Sequence, residues 1–114
     1  MTTDLLNEMF EQQKEFAKQF TDFDNMTDDE RDIATKEYVM CIIEECIELL
    51  RCIKHKHWRK NEKSKGIKSI KEELADITAF FINLALTHNV DAEELAHNHL
   101  DKVKTNWERI RSGY

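Results

Sequence analysis

Proline is absent from this 114-residue chain, and glycine occurs only twice. Sandwich and barrel folds need many tight turns between short strands, and proline and glycine are the residues that favour such turns. Their scarcity argues against both folds and favours long helices with few connections. The length suits one domain with a modest core. We expect a single domain over residues 1–114, with an N-terminal helix and linker over 1–26 and a motif-bearing core over 27–114.

Long hydrophobic runs are also absent. No apolar stretch approaches the roughly 20 residues that span a bilayer, and the first residues lack the basic start and apolar core of a signal peptide. The three cysteines, Cys41, Cys46 and Cys52, are an odd number without a C-x-x-C pair. We interpret them as core thiols in a reducing compartment. We therefore expect a cytoplasmic protein with no membrane partner.

Charge is unevenly distributed along the chain, whose formal net charge is −6. Residues 51–71 contain nine Lys/Arg and one acid, Glu62, a net charge of +8, which leaves −14 for the remainder. A basic segment beside acidic helices suits a polyanion that is held by metal and lysines together. A solvated connecting loop would have the same composition, so both interpretations stay open.

Apolar residues at helical spacing predict four helices. They span approximately residues 4–20, 27–53, 67–88 and 91–111, with a loop over 55–66. Two helix starts have a capping residue followed three positions later by Glu: Thr27 with Glu30, and Asp91 with Glu94. The expected fold is an all-α four-helix bundle. Its apolar faces are wide for so small a domain, so we expect a homodimer or homotetramer. The regular stripe of the third helix would also suit a monomer core.

Two acidic clusters interrupt the apolar pattern of the second and third helices: Glu44-Glu45-Cys46-Ile47-Glu48 and Glu72-Glu73-Leu74-Ala75-Asp76. Carboxylates beside an apolar face are costly unless they are paired or bound to a cation. Glu45 and Glu48 are three residues apart, as are Glu73 and Asp76, so each pair shares a helix face. If the two helices are antiparallel neighbours, the four carboxylates converge. Such hard oxygen donors suit Mg²⁺ or Mn²⁺ and not zinc. The alternative interpretation is that these residues are ordinary surface acids.

The spacing of these acids resembles a known signature. Glu44-Glu45-x-x-Glu48, a spacer of 24 residues and Glu73-x-x-Asp76 are similar to the EExxE…ExxD pattern of the all-α nucleoside triphosphate pyrophosphatases, the superfamily of MazG, the dimeric dUTPases and the phosphoribosyl-ATP pyrophosphatases. The C-terminal series Lys102, Asn106, Arg109 and Tyr114 resembles the one with which dimeric dUTPase-like members hold phosphates. His57-Trp58-Arg59-Lys60 resembles an aromatic-plus-lysine segment of that branch. The resemblance covers about residues 35–114, and the chain is nearer in size to the compact MazG-like members.

The resemblance implies a MazG-like bundle with a metal site for Mg²⁺ (or Mn²⁺) at Glu45, Glu48, Glu73 and Asp76. Either Glu44 or Glu48 would accept the proton from water, and we favour Glu48. The residues expected to bind phosphate are Lys102, Asn106, Arg109 and Tyr114. Lys54, Lys56 and Lys60 of the basic segment are further phosphate candidates. Trp58 would stack on a base or anchor the loop, and Asn83 would read a base edge or join two helices.

The function that we expect is Mg²⁺-dependent conversion of a nucleoside triphosphate to a monophosphate and pyrophosphate, which would cleanse the nucleotide pool. The likeness to the pyrimidine branch makes dUTP and dCTP the first expected substrates. One alternative is a helical module that binds nucleic acid through residues 51–71, although the overall acidity of the chain counts against a nucleic-acid partner. The other is a structural oligomerisation bundle.

Overall fold

The computed structural model describes residues 4–113, and within that range the chain forms four α-helices and one short 3₁₀ turn, without a strand. The helices are α1 (Leu5–Ala17), α2 (Asp28–Cys52), α3 (Ile67–Thr87) and α4 (Ala92–Arg111), and the 3₁₀ turn is Phe23–Asn25. The predicted all-α bundle is confirmed. Every helix boundary lies within three residues of its predicted position.

Side chains cap three of the helix starts. At the start of α2, the Glu30 N–H donates to Thr27 Oγ1 at 3.2 Å and the Thr27 N–H donates to Glu30 Oε1 at 3.0 Å. This reciprocal pair is the predicted capping box. Asp4 accepts from the Asn7 N–H at the start of α1, and Asp91 accepts from the Glu94 N–H at the start of α4. These bonds satisfy amide groups that a helix start otherwise leaves without partners.

The linker between α1 and α2 has a polar composition, but one of its residues belongs to the hydrophobic core. Phe23, the first residue of the 3₁₀ turn, is only 3% exposed. It belongs to a core cluster of buried residues: Phe10, Ala17, Phe23, Ile82, Leu86 and Ala92. An isolated aromatic residue has no periodicity, which is why the sequence pattern did not mark it as core. The linker is thereby anchored against α1, α3 and the start of α4.

The helices α2 and α3 pack side by side in opposite directions. Near the start of α2, Arg31 Nη1 donates to the carbonyl oxygen of Thr87, at the end of α3. At the other end of the pair, the Cys52 carbonyl accepts from the Lys65 N–H at 2.8 Å and from Ser64 Oγ at 3.2 Å. These bonds fix the register of the two helices. The acidic clusters of α2 and α3 consequently lie at the same level of the helix pair.

Much apolar surface stays exposed along the described residues. The large exposed side chains include Ile33, Met40, Ile43, Ile47 and Leu50 on α2, Ile67, Leu74 and Phe81 on α3, and Leu100, Val103, Trp107 and Ile110 on α4. After Ala96, every residue of α4 except Thr105 is exposed. Across residues 4–113, no helix combines the length and the apolar character needed to cross a membrane.

Candidate metal centre

Three carboxylates meet where α2 and α3 pack together. Glu45 on α2 and Glu73 and Asp76 on α3 each offer one carboxylate oxygen, and these oxygens lie within 4.8 Å of one another. Glu73 and Asp76 are one turn apart and share a face of α3. Glu45 reaches the same point because the helices are antiparallel. We call these three residues the carboxylate triad, and three of the four predicted metal ligands are thus brought together.

The triad concentrates negative charge. Partial burial raises the pKa of the Glu45 carboxyl, and the neighbouring Glu73 and Asp76 carboxylates raise it further. Within residues 4–113, no lysine, arginine or histidine forms an ion pair with any of the three. Hard oxygen donors with uncompensated charge are the ligand chemistry that Mg²⁺ and Mn²⁺ prefer. The residues present therefore fit a divalent cation.

Glu48, the fourth predicted ligand, lies one turn beyond Glu45 on α2 and is not part of the triad. Its Oε1 accepts from Arg51 Nη1 at 3.0 Å. Sequence reasoning missed Arg51 as a neighbour of the site, although an arginine three residues after a glutamate is a pairing signal. Glu44 is exposed on the next face of α2. The roles of Glu44 and Glu48 stay predictions.

A groove of about 390 Å³ lies between α1 and α3, and its lining includes Gln13, Thr78 and Ile82. Asn83 lies next to it, 8% exposed, and its Oδ1 accepts from Gln13 Nε2 at 2.9 Å. This bond corresponds to the inter-helix alternative for Asn83. Its predicted role in reading a base stays a prediction.

The other predicted substrate contacts lie on exposed surfaces. Lys102, Asn106 and Arg109 lie on the exposed half of α4, and no hydrogen bond or ion pair in the described part of the chain joins their side chains to the triad. Lys54, Trp58 and Lys60 are exposed in the connector over residues 53–66. Trp58 packs edge-on against the His57 ring, with centroids 5.4 Å apart. Tyr114, also predicted to bind phosphate, lies outside the described residues.

Comparison with known proteins agrees with this architecture. A protein-family model described as dUTPase matches residues 5–112, a range that contains the carboxylate triad and Lys102, Asn106 and Arg109 of α4. Searches of curated proteins and of solved structures gave no match. The matched family is all-α, as is the fold, and its model covers nearly the whole chain. The protein therefore belongs to the all-α dUTPase-like family, whose members hydrolyse nucleoside triphosphates.

Proposed function

We propose that the protein is a Mg²⁺-dependent nucleoside triphosphate pyrophosphohydrolase that converts a pyrimidine deoxynucleotide, dUTP or dCTP, to its monophosphate and pyrophosphate. The observation that carries the proposal is the triad, in which three carboxylate oxygens within 4.8 Å lack a cationic partner among the described residues. Membership of the dUTPase-like family supports triphosphate hydrolysis. The pyrimidine preference rests on the C-terminal series Lys102, Asn106, Arg109 and Tyr114.

In this proposal, Glu45, Glu73 and Asp76 hold Mg²⁺. The bound ion supplies positive charge that offsets the phosphate charges and polarises the phosphorus–oxygen bonds. Glu48 accepts a proton from the attacking water. Its bond to Arg51 engages Oε1 and leaves Oε2 available for the proton. Glu44 is the second candidate for this role, because it lies four residues before Glu48 on the same helix.

Donors from α4 and from the connector would hold the phosphates. Lys102, Asn106 and Arg109 recur at spacings of four and three, which places them on one face of α4. Arg109 offers a bidentate guanidinium, and Lys102 offers a compact point charge. Lys54 and Lys60 add positive charge from the connector.

The base and sugar would occupy the groove between α1 and α3. Gln13 and Asn83 present two side-chain amides at this place, and an amide can offer both a donor and an acceptor to a base edge. Trp58 would stack on the base from the connector. The groove has a volume of about 390 Å³, which is large enough for a nucleobase.

We further propose that the active form is a homo-oligomer, a dimer or a tetramer. Leu74 and Phe81 on α3 are 48% and 44% exposed, and Ile47 on α2 is 44% exposed. Burying a fully exposed side chain of this kind is worth about 1.5–3 kcal/mol, and about half of that remains for each of these, so a second copy covering this face would add stability. In such an oligomer, we expect Lys102, Asn106 and Arg109 of one copy to bind phosphate at the triad of the other.

The test is to incubate the purified protein with each deoxynucleoside triphosphate, with Mg²⁺ or with a chelator, and to quantify pyrophosphate and monophosphate. We expect Mg²⁺-dependent pyrophosphate from dUTP or dCTP. Glu73→Gln should reduce kcat by about 100-fold or more, since it removes a metal ligand. Its neighbour Glu72 is exposed and outside the triad, so Glu72→Gln is the matched control and should retain activity. Release of single phosphates, or turnover that survives chelation, would contradict the proposed reaction.

A further inference from the structure

The second half of α4 extends beyond the rest of the fold. Ala92, in the first turn of α4, is buried in the core, and Ala96 is half-buried one turn later. The same face of the helix then continues as four exposed apolar side chains: Leu100, Val103, Trp107 and Ile110. The radius of gyration is 17.6 Å, whereas a compact chain of this length has about 13 Å. Residues 97–111, which we call the α4 arm, therefore project from the bundle.

The apolar side chains of the arm have the spacing of a helix that packs along another helix. They follow one another at intervals of three, four and three residues, which is the repeat that keeps a narrow apolar stripe on one face. Trp107 is 56% exposed and Ile110 is 61% exposed. Side chains of this size gain stability when a partner removes them from water. The arm stripe thus lacks a partner helix among the described residues.

A stripe with the same spacing runs along α2. It consists of four side chains that are each between 44% and 57% exposed: Met40, Ile43, Ile47 and Leu50. Its intervals are again three, four and three residues. Ala34 and Cys52, the buried residues of α2, are five full turns apart and lie on the other side of the helix. The α2 stripe therefore faces away from α3 and is also free to receive a helix.

The charges beside the two stripes are complementary. One flank of the α2 stripe carries Glu37 and Glu44, and the equivalent flank of the arm stripe carries Lys104 and Arg111. All four residues are exposed, and none forms an ion pair within residues 4–113. Helices that pack antiparallel through such stripes bring equivalent flanks together. Glu44 then meets Lys104, and Glu37 meets Arg111.

Other pairings of these stripes bring like charges together. A parallel arrangement that matches the two stripes places Arg51 level with Arg111 and Glu48 level with Glu108. Two arms packed antiparallel set Lys104 against its own copy, and two α2 stripes set Glu44 against its own copy. Like charges at such positions weaken association and select against the pairing. The antiparallel pairing of α2 with the arm has no such clash.

We propose that the α4 arm of one copy packs antiparallel along the α2 stripe of a second copy. Because α4 is one continuous helix, its arm cannot turn back to α2 of the same chain. Each copy gives one arm and receives one, so the contact closes with two-fold symmetry. In this register, Lys102 of the arm comes level with Glu48 of the second copy. The proposal rests on the proposed homo-oligomer, for which it names the contact surfaces, and it does not depend on hydrolysis.

The test is analytical ultracentrifugation of the full chain over a range of concentrations. Lys104→Glu with Arg111→Glu should raise the dissociation constant between copies at least tenfold, because both flank pairs become like-charged. The matched control is Lys102→Glu with Arg109→Glu, which reverses the same two charges two residues earlier on the same helix, away from this flank. The control should raise the constant less than twofold. An equal effect of both double variants would show general charge repulsion and would overturn the proposal.

Charge reversal on the other helix then separates the contact from misfolding. Glu37→Lys with Glu44→Lys should also weaken association at least tenfold. Combining these two changes with Lys104→Glu and Arg111→Glu in one chain should restore the dissociation constant to within about threefold, since both pairs are again opposite in charge. Failure of this rescue would refute the pairing. A monomeric wild type would overturn both this proposal and the homo-oligomer, whereas an oligomer that resists Lys104→Glu with Arg111→Glu would overturn this proposal alone.

Discussion

Replacing Glu45 by Gln should have opposite effects on stability with and without Mg²⁺. In the metal-free protein, Glu45 faces two carboxylates whose oxygens lie within 4.8 Å of its own. Two unit charges at that separation repel by roughly 1 kcal/mol in water and by about 3.5 kcal/mol at an effective dielectric constant of 20. The triad is only partly buried, so the lower figure applies. Removing both repulsions should stabilise the metal-free protein by about 1–2 kcal/mol.

Mg²⁺ should reverse this order. A ligand present at 100 times its Kd stabilises the native state by about 2.7 kcal/mol, and Glu45→Gln removes one of the residues that would hold the ion. One kcal/mol corresponds to a shift in Tm of about 4 °C for a domain of this size. In chelator, the variant should therefore melt about 4–8 °C above the wild type. Added Mg²⁺ should raise the Tm of the wild type but not that of the variant.

The assay is thermal unfolding followed by circular dichroism, in chelator and at several Mg²⁺ concentrations. Glu72→Gln is the control that removes one negative charge from an exposed neighbouring position. It should leave the Mg²⁺ response intact. If Glu45→Gln melts below the wild type in chelator and responds to Mg²⁺ as the wild type does, the triad is not a cation site and the reasoning fails.

Three further predictions concern the core, the cap of α2 and the exposed face of α3. Phe23→Ala should lower the free energy of unfolding by roughly 3–5 kcal/mol in urea titrations, because Phe23 is 3% exposed, whereas Phe20→Ala at a 77% exposed position should have a much smaller effect. The hydrogen bond from the Thr27 backbone N–H lowers the pKa of Glu30. The stability that this bond adds is therefore fully present above the ordinary carboxyl pKa. It is lost as the pH falls through the lowered pKa of the folded protein. Unfolding curves of Glu30→Ala against pH should therefore converge with those of the wild type in acid, and a constant difference would exclude this linkage. Leu74→Lys should shift the proposed oligomer towards monomer in analytical ultracentrifugation, and an unchanged mass would place the interface elsewhere.

Local sequence patterns were sufficient to predict the helices and the residues at which they begin. The capping box of Thr27 and Glu30 involves residues three apart, and both hydrogen bonds form as the pattern predicts. The pairing of Glu73 with Asp76 is equally local. In each case, the controlling interaction lies within one turn of a helix, so spacing alone determines it.

Features that depend on how elements meet could not be predicted in the same way. Whether Glu45 or Glu48 faces α3 depends on the rotation of α2 about its axis, which is set by packing between the two helices. The burial of Glu62 depends on the path of an irregular connector, for which hydrophobic periodicity carries no information. Phe23 was missed because its partners lie on three different helices.

The double hydrogen bond to the Cys52 carbonyl has a consequence for how this protein can change. Ser64 and Lys65 return the chain to the point at which α2 ends, so the intervening residues form a loop with closed ends. The entropic cost of such a loop rises only slowly with its length. Residues could consequently be inserted in the connector between these two ends at little cost in stability, while the carboxylates on the two helices keep their register.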